Sequence, residues 1–131
     1  MKQRPMLTLE DCKKIAAAEA EAKRNNWNVC IAILDDGGHL LHLARMDGAT
    51  PANARIAVAK GRTAAETRRS TANWQERVAK RIELLRMPEV TPVQGGVPIV
   101  FDGTCVGAVG VSGVQSHEDE QIAAAGIKAL G

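Results

Sequence analysis

With 131 residues, the chain has enough length for one hydrophobic core and not comfortably for two. Apolar residues make up 45 % and aromatics only 2 %, so the interior must be built from Ala, Val, Ile and Leu, without the aromatic walls a large flat ligand usually meets. A net charge of +2 with interspersed signs argues against a nucleic-acid surface, and no window approaches membrane-spanning length.

Thr8-Leu9-Glu10-Asp11 opens the first predicted helix, with Thr8 as its cap and two acids at the positive end of the dipole. Leu9, Cys12, Ile15, Ala16 and Ala22 recur at helical spacing until Asn25-Asn26. Val29 to Leu34 is apolar on both faces and reads as a covered strand. Asp35-Asp36-Gly37-Gly38 supplies turn residues, and His39 to Ala44 is the return strand. Residues 52 to 69 read as a helix in which Gly61 is a weak point or a close-packing point. Residues 73 to 86 read as another, with Pro88 beyond its end. MPEVTPVQGG is a loop or a short edge strand. Val97 to Phe101 and Thr104 to Val111 are strands joined at Asp102-Gly103, and Ser116 to Asp119 caps a last helix to about Leu130. Residues 1–131 therefore read as a single α/β (α+β) domain, an antiparallel sheet with helices on both faces.

The basic run Arg68-Arg69, Arg77, Lys80, Arg81 and Arg86 is interrupted by Glu76 and Glu83 and reads as solvated helix faces. Cys12, Cys30 and Cys105 form no CxxC pair and no zinc-ligand spacing, which suits a reducing compartment. The start of the chain has no apolar signal segment, so a cytoplasmic location is expected.

The glycines of VPIVFDGTCVGAVGVSGVQSHEDEQIA, residues 97 to 123, match no phosphate or cofactor fingerprint. GxxxxGK is absent. Gly107, Gly110 and Gly113 lie three apart, with the first two inside a strand, and Ser112 in GVSGV misses the esterase spacing by one residue. Either another backbone approaches this strand closely, or a ligand lies against it and meets N–H groups around Ser112 to Ser116.

Four segments resemble one family: LDDGGHLLHLARMDGA (34 to 49), AVAKGRTAA (57 to 65), PVQGGVPIVFDGTCVGAVGVSG (92 to 113) and EDEQIAAAG (118 to 126). Together, and in this order, they are similar to the GlcG/HbpS-like haem-binding proteins of bacteria, a family that also supplies the C-terminal domain of PduO-type cobalamin adenosyltransferases. The resemblance implies a profilin-like domain with a central sheet of about five antiparallel strands flanked by helices. It also implies a homo-oligomer built from dimers, and haem or another small anionic ligand as partner. Gly61 stands where the family more often has Ala, which implies a slightly looser helix.

His39, in GGHL, is the candidate iron ligand, or a turn histidine held by a backbone hydrogen bond. His42 lies three residues on; strand alternation turns it to the opposite face, so the two cannot share one metal. His117 reads as an exposed cap residue. Met46 is either the alternative axial ligand or core filler. Arg45 suits a carboxylate by a forked pair of hydrogen bonds. Lys60 is the least expected charge in its Ala-rich stretch: an anion holder, a base, or a structural partner of an acid such as Asp47. Gly95, Gly96 and Pro98 enter the third strand, either as a plain loop bend before an edge strand or, as the resemblance implies, at a pocket mouth.

Two functional classes follow. In a haem or small-anion binder, Arg45, Lys60 and the Gly95-Gly96 backbone hold carboxylates, and His39 or Met46 meets iron. In an enzyme acting on a small organic acid, Lys60 or Asp47 moves a proton and glycine N–H groups steady the oxyanion. A structural oligomer that stabilises a partner enzyme is the third reading. The expected cradle lies where Gly95-Gly96 and the Arg45 to Gly48 turn meet Lys60.

Overall fold

The computed structural model describes residues 1–131. Helices α1 (Leu9–Ile15) and α2 (Ala18–Arg24) lead into strands β1 (Cys30–Asp35) and β2 (Leu40–Arg45). Helices α3 (Pro51–Thr67) and α4 (Thr71–Lys80) follow, then a short 3₁₀ segment, Ile82–Arg86. Strands β3 (Gly96–Phe101) and β4 (Thr104–Ser112) precede the last helix, α5 (Ser116–Leu130).

The sheet has four strands in the order β2-β1-β4-β3, all antiparallel, rather than about five. The segment before β3 adds no fifth strand because side chains satisfy its backbone. Thr91 N donates to Thr63 Oγ1 and Gln94 N to Gln75 Oε1, both at 2.9 Å.

Thr8 caps α1 as expected: its hydroxyl accepts from Asp11 N, and Asp11 Oδ2 accepts from Thr8 N. The single helix expected to Asn25 is instead two. Ala17, Glu19 and Ala20 donate three residues back, a tightening that turns both Ile15 and Ala18 fully inward. Gly126 of α5 passes there; a Cβ on it would lie 2.8 Å from Ile15 O. The helix expected over 73 to 86 stops at Lys80. Arg81 is extended, and the 3₁₀ segment after it buries Leu84.

Alternation along the strands divides the core. Ile31, Ile33, Ile99, Val109 and Val111 pack against Cys12, Ile15, Ala18, Ala22, Ile122 and Ala123 of α1, α2 and α5. Cys30, Ala32 and Leu34 meet Ala57 of α3 on the other face, and Ala108 meets Ala64 and Ala65. Small residues let α3 sit almost on the backbone of β4. A Cβ on Gly110 would lie 2.0 Å from Ala57 O and 2.5 Å from Gly61 N. Gly61 is thus a close-packing point, since a Cβ there would strike Leu34 Cδ1 at 2.2 Å. Because α3 cannot retreat without opening its whole face, Gly110→Ala is expected to cost about 3 kcal/mol or more. A urea midpoint unchanged from wild type would refute that contact.

Candidate functional site

The sheet distributes the candidate residues over two ends and two edges. At one end, the β1–β2 turn is built around Asp35. Its Oδ1 accepts from the backbone N–H of Gly37 and of His39, both at 2.9 Å. The same carboxylate lies 3.1 and 3.2 Å from His39 Nδ1. Burial works against the Asp35 charge, but the hydrogen bonds from His39 and Gly37 outweigh it and hold the carboxyl below its ordinary value. Asp35 therefore stays ionised at neutral pH and fixes the imidazole. The side chain is 81 % exposed, so Nε2, the ring nitrogen turned away from Asp35, is open to an incoming group. Arg4 pairs with Asp36 at 2.9 Å, and the Arg68 guanidinium donates to Asp36 O, so two cations brace the same turn.

A β-bulge changes which way the second histidine points. Ile33 pairs with His42 but Leu34 pairs with Leu40, so Leu41 is an added residue in β2. Counting across the bulge, His42 opposite Ile33 and His39 beside Asp35 fall on the same face, where simple alternation had set them on opposite ones. Leu41 stands beside them at the uncovered edge and is exposed.

Lys60 lies elsewhere and is sealed, at 2 % exposure. Its Nζ donates to Asp119 Oδ2 at 3.0 Å and to Val111 O at 3.1 Å. The acid is Asp119 of α5, then, not Asp47, which is exposed in the turn after β2. Asp119 Oδ1 also accepts from Val114 N. Burial pushes the Asp119 carboxyl above its ordinary value, against the lowering effect of the Lys60 charge and hydrogen bond. Gly95 and Gly96 do meet Lys60. A Cβ on Gly95, at φ 137°, would lie 2.9 Å from its Nζ, and one on Gly96 would lie 2.3 Å from its O. Gly96 N donates to buried Thr71 Oγ1 at 2.8 Å.

The Arg45 to Gly48 turn shares that end of the sheet but leaves from the opposite edge, with β1 and β4 between. Three strand spacings put it about 14 Å from Gly95-Gly96. Arg45 is exposed. Met46 is half-buried against the core with Trp27, beside a shallow hollow of about 240 Å³. Pro98 sits on the β3 edge opposite Ala108, and His117 is exposed at the start of α5. His39 is at the far end of β2 from Arg45, roughly 20 Å away for six residues. A single chain thus brings Lys60, Gly95 and Gly96 together and keeps His39 apart from them. Sequence reasoning missed Asp35 and Asp119. Asp35 had a local signal, an acid four residues before the histidine across a glycine turn. Asp119 had none, being 59 residues from Lys60.

No three His, Cys, Asp or Glu side chains gather as a cage for a bare metal ion. No helix is long and apolar enough to cross a membrane. A second cleft, between the segment before α1 and the β3–β4 hairpin, is only about 230 Å³, below the usual range for sites that enclose a small-molecule ligand.

The family model described as "Haem degrading protein HbpS-like" matches residues 7–128. The chain belongs to the HbpS-like family. It is 52 % identical over 99 residues to Protein GlcG of Escherichia coli K12, covering 75 % of this chain and 74 % of that one. A crystallised double mutant of HbpS from Streptomyces reticuli superposes with a TM-score of 0.93 at 33 % identity, over 100 % of this chain and 91 % of that one. A PduOC:heme complex superposes at 0.86 with 25 % identity, over 95 % of each chain. The profilin-like expectation of an antiparallel sheet flanked by helices therefore holds, with four strands.

Proposed function

We propose that this HbpS-like chain binds haem at the β1–β2 corner, with His39 as the iron ligand. The observation that carries the reading is the Asp35–His39 pair. Iron-ligating histidines characteristically donate their second ring nitrogen to a carboxylate, which fixes the tautomer and the ring. The Asp35 carboxylate is placed to accept from His39 Nδ1 at 3.1 Å and is itself held by two backbone N–H groups. The residues around it fit the group: exposed Leu41 offers an apolar contact for a porphyrin face, and Arg4, paired with Asp36 but more than half exposed, could turn a second N–H to a propionate. Haem, when bound, would supply the redox chemistry. The chain's own part is to present one imidazole in one orientation, set by the Asp35 carboxylate. Because iron already held by a porphyrin needs few protein ligands, the lack of a multi-residue cage is no obstacle. A flat ligand laid on a sheet edge also needs no deep cavity.

In the small-acid enzyme reading Lys60 or Asp47 would move a proton; the Lys60 ammonium is instead committed to Asp119 and Val111 O, and Asp47 lies in the turn after β2, at the opposite edge from Gly95-Gly96. Arg45, Met46, Asp47, Gly95, Gly96 and Pro98 are not gathered around His39 in one chain, so they are assigned no contact with iron. The test is a haem titration of the purified protein followed by absorption spectroscopy. A saturable Soret shift at one haem per chain is expected. Weak binding that never saturates would overturn the proposal.

A further inference from the structure

The added residue in β2 sets two imidazoles side by side. Asp35 N donates to His39 O at 2.9 Å, so His39 lies opposite Asp35, while His42 lies opposite Ile33. Asp35 and Ile33 are two residues apart on β1, so His39 and His42 leave the backbone about 7 Å apart on one face of the sheet. Without Leu41 between them as the extra residue, their spacing would send them to opposite faces.

The two rings differ in how they are held. His39 Nδ1 is turned to the Asp35 carboxylate at 3.1 Å, and its Nε2 faces away from that acid. His42 is half-buried farther along the same face. An ion bound by two imidazoles at about 2.0–2.1 Å keeps their nitrogens roughly 3 Å apart. Closing from about 7 Å to that separation takes an inward lean of about 2 Å for each ring, within the swing of a histidine about its two side-chain torsions. The surrounding charge suits a cation. Asp35 is ionised behind His39, and both cations of the turn are already engaged with Asp36, Arg4 at its carboxylate and Arg68 at its carbonyl.

We propose that His39 and His42 together chelate a divalent transition-metal ion of the class imidazole favours, Ni²⁺, Cu²⁺ or Zn²⁺, with Asp35 as the outer carboxylate. Water fills the remaining positions, so the site is open and needs no cage of three protein ligands. Oxygen-seeking Mg²⁺ finds no ligand set here, because the Asp35 carboxylate is already taken by two backbone N–H groups and the ring. The site shares His39 with the proposed haem contact but needs no haem, and a bare ion competes with haem for the same Nε2.

The test uses haem-free protein, so its outcome is separate from that of the haem titration. Isothermal titration with Ni²⁺ is run on the wild type, His39→Ala, His42→Ala, His117→Ala and the double variant His42→Ala with Leu43→His. Circular dichroism should be unchanged throughout, since His39, Leu43 and His117 are exposed and His42 is half-buried. Saturation at one Ni²⁺ per chain is expected in the wild type. His39→Ala and His42→Ala should each weaken it about tenfold or more, at least the cost of losing an outer carboxylate. His117→Ala, at the start of α5, should bind like wild type. Leu43→His restores the number of histidines but stands opposite Ala32, on the face toward α3, and should rescue nothing. A wild type that binds Ni²⁺ no more tightly than either single variant would overturn the proposal. So would rescue by Leu43→His, loss of binding in His117→Ala, or Mg²⁺ binding as tight as Ni²⁺.

Discussion

Lys60→Met is expected to destabilise the protein by about 3–5 kcal/mol at neutral pH, because it leaves the Asp119 carboxylate buried without its counter-charge. Chemical denaturation followed by circular dichroism would measure this, with a fall in Tm of roughly 10 °C or more. The pair ties three elements together: α3 through Lys60, the end of β4 through Val111 O, and the first turn of α5 through Asp119. The double variant Lys60→Met with Asp119→Leu removes both charges and should lose much less than the single changes added together. It would still leave Val111 O and Val114 N short of a partner, at about 1–3 kcal/mol each. The pH dependence has a definite sign. Burial already raises the Asp119 carboxyl above 3.8, and removing Lys60 takes away the largest effect lowering it. A carboxyl raised by folding contributes stability fully present below its unfolded value and lost as pH rises through the folded one. The Lys60→Met variant should therefore lie closest to wild type in acid and fall furthest behind at neutral pH. A variant within 1 kcal/mol of wild type at every pH would mean the pair is not structural, and would return Lys60 to the list of chemical groups.

His39→Ala is expected to abolish the Soret shift while leaving the fold intact, since the side chain is exposed and touches only the Asp35 turn. Asp35→Asn keeps the imidazole but weakens the carboxylate that orients it, and should lower haem affinity about 10- to 100-fold. Its effect on stability should be small, because Asp35–His39 is a surface pair. Met46→Ala serves as the contrast: Met46 packs against the core, so its loss should reduce stability and leave the haem spectrum unchanged. The reverse pattern, a spectrum lost in Met46→Ala and kept in His39→Ala, would sink the assignment of the iron ligand.

Much of this architecture is legible in the chain because the information is local. Thr8-Leu9-Glu10-Asp11 is a complete helix start within four residues, and Asp102-Gly103 is a complete turn. The alternation of β4 fixes which residues meet α3 and which meet α5. Resemblance over nearly the whole length supplied the family and its fold. What local pattern misjudged, it misjudged for identifiable reasons. The helix break at Ala16-Ala17 depends on α5 passing at Gly126, more than a hundred residues later. The single added residue at Leu41 reverses the face of every side chain before it, and only the pairing with β1 reveals it.

The candidate site divides along the same line. Sequence by itself determined the elements, the small-residue core and His39 behind its glycine turn, because propensity, capping and side-chain period act over a few residues. Tertiary structure decided the rest. It placed Asp119 against Lys60 across 59 residues and committed to a buried ion pair a lysine that the sequence had left between anion holder, base and structural partner. It set Arg45 and Gly95-Gly96 on opposite edges of one sheet. Burial and partner choice depend on which distant segments exclude water from a group, and that is a property of the folded chain alone.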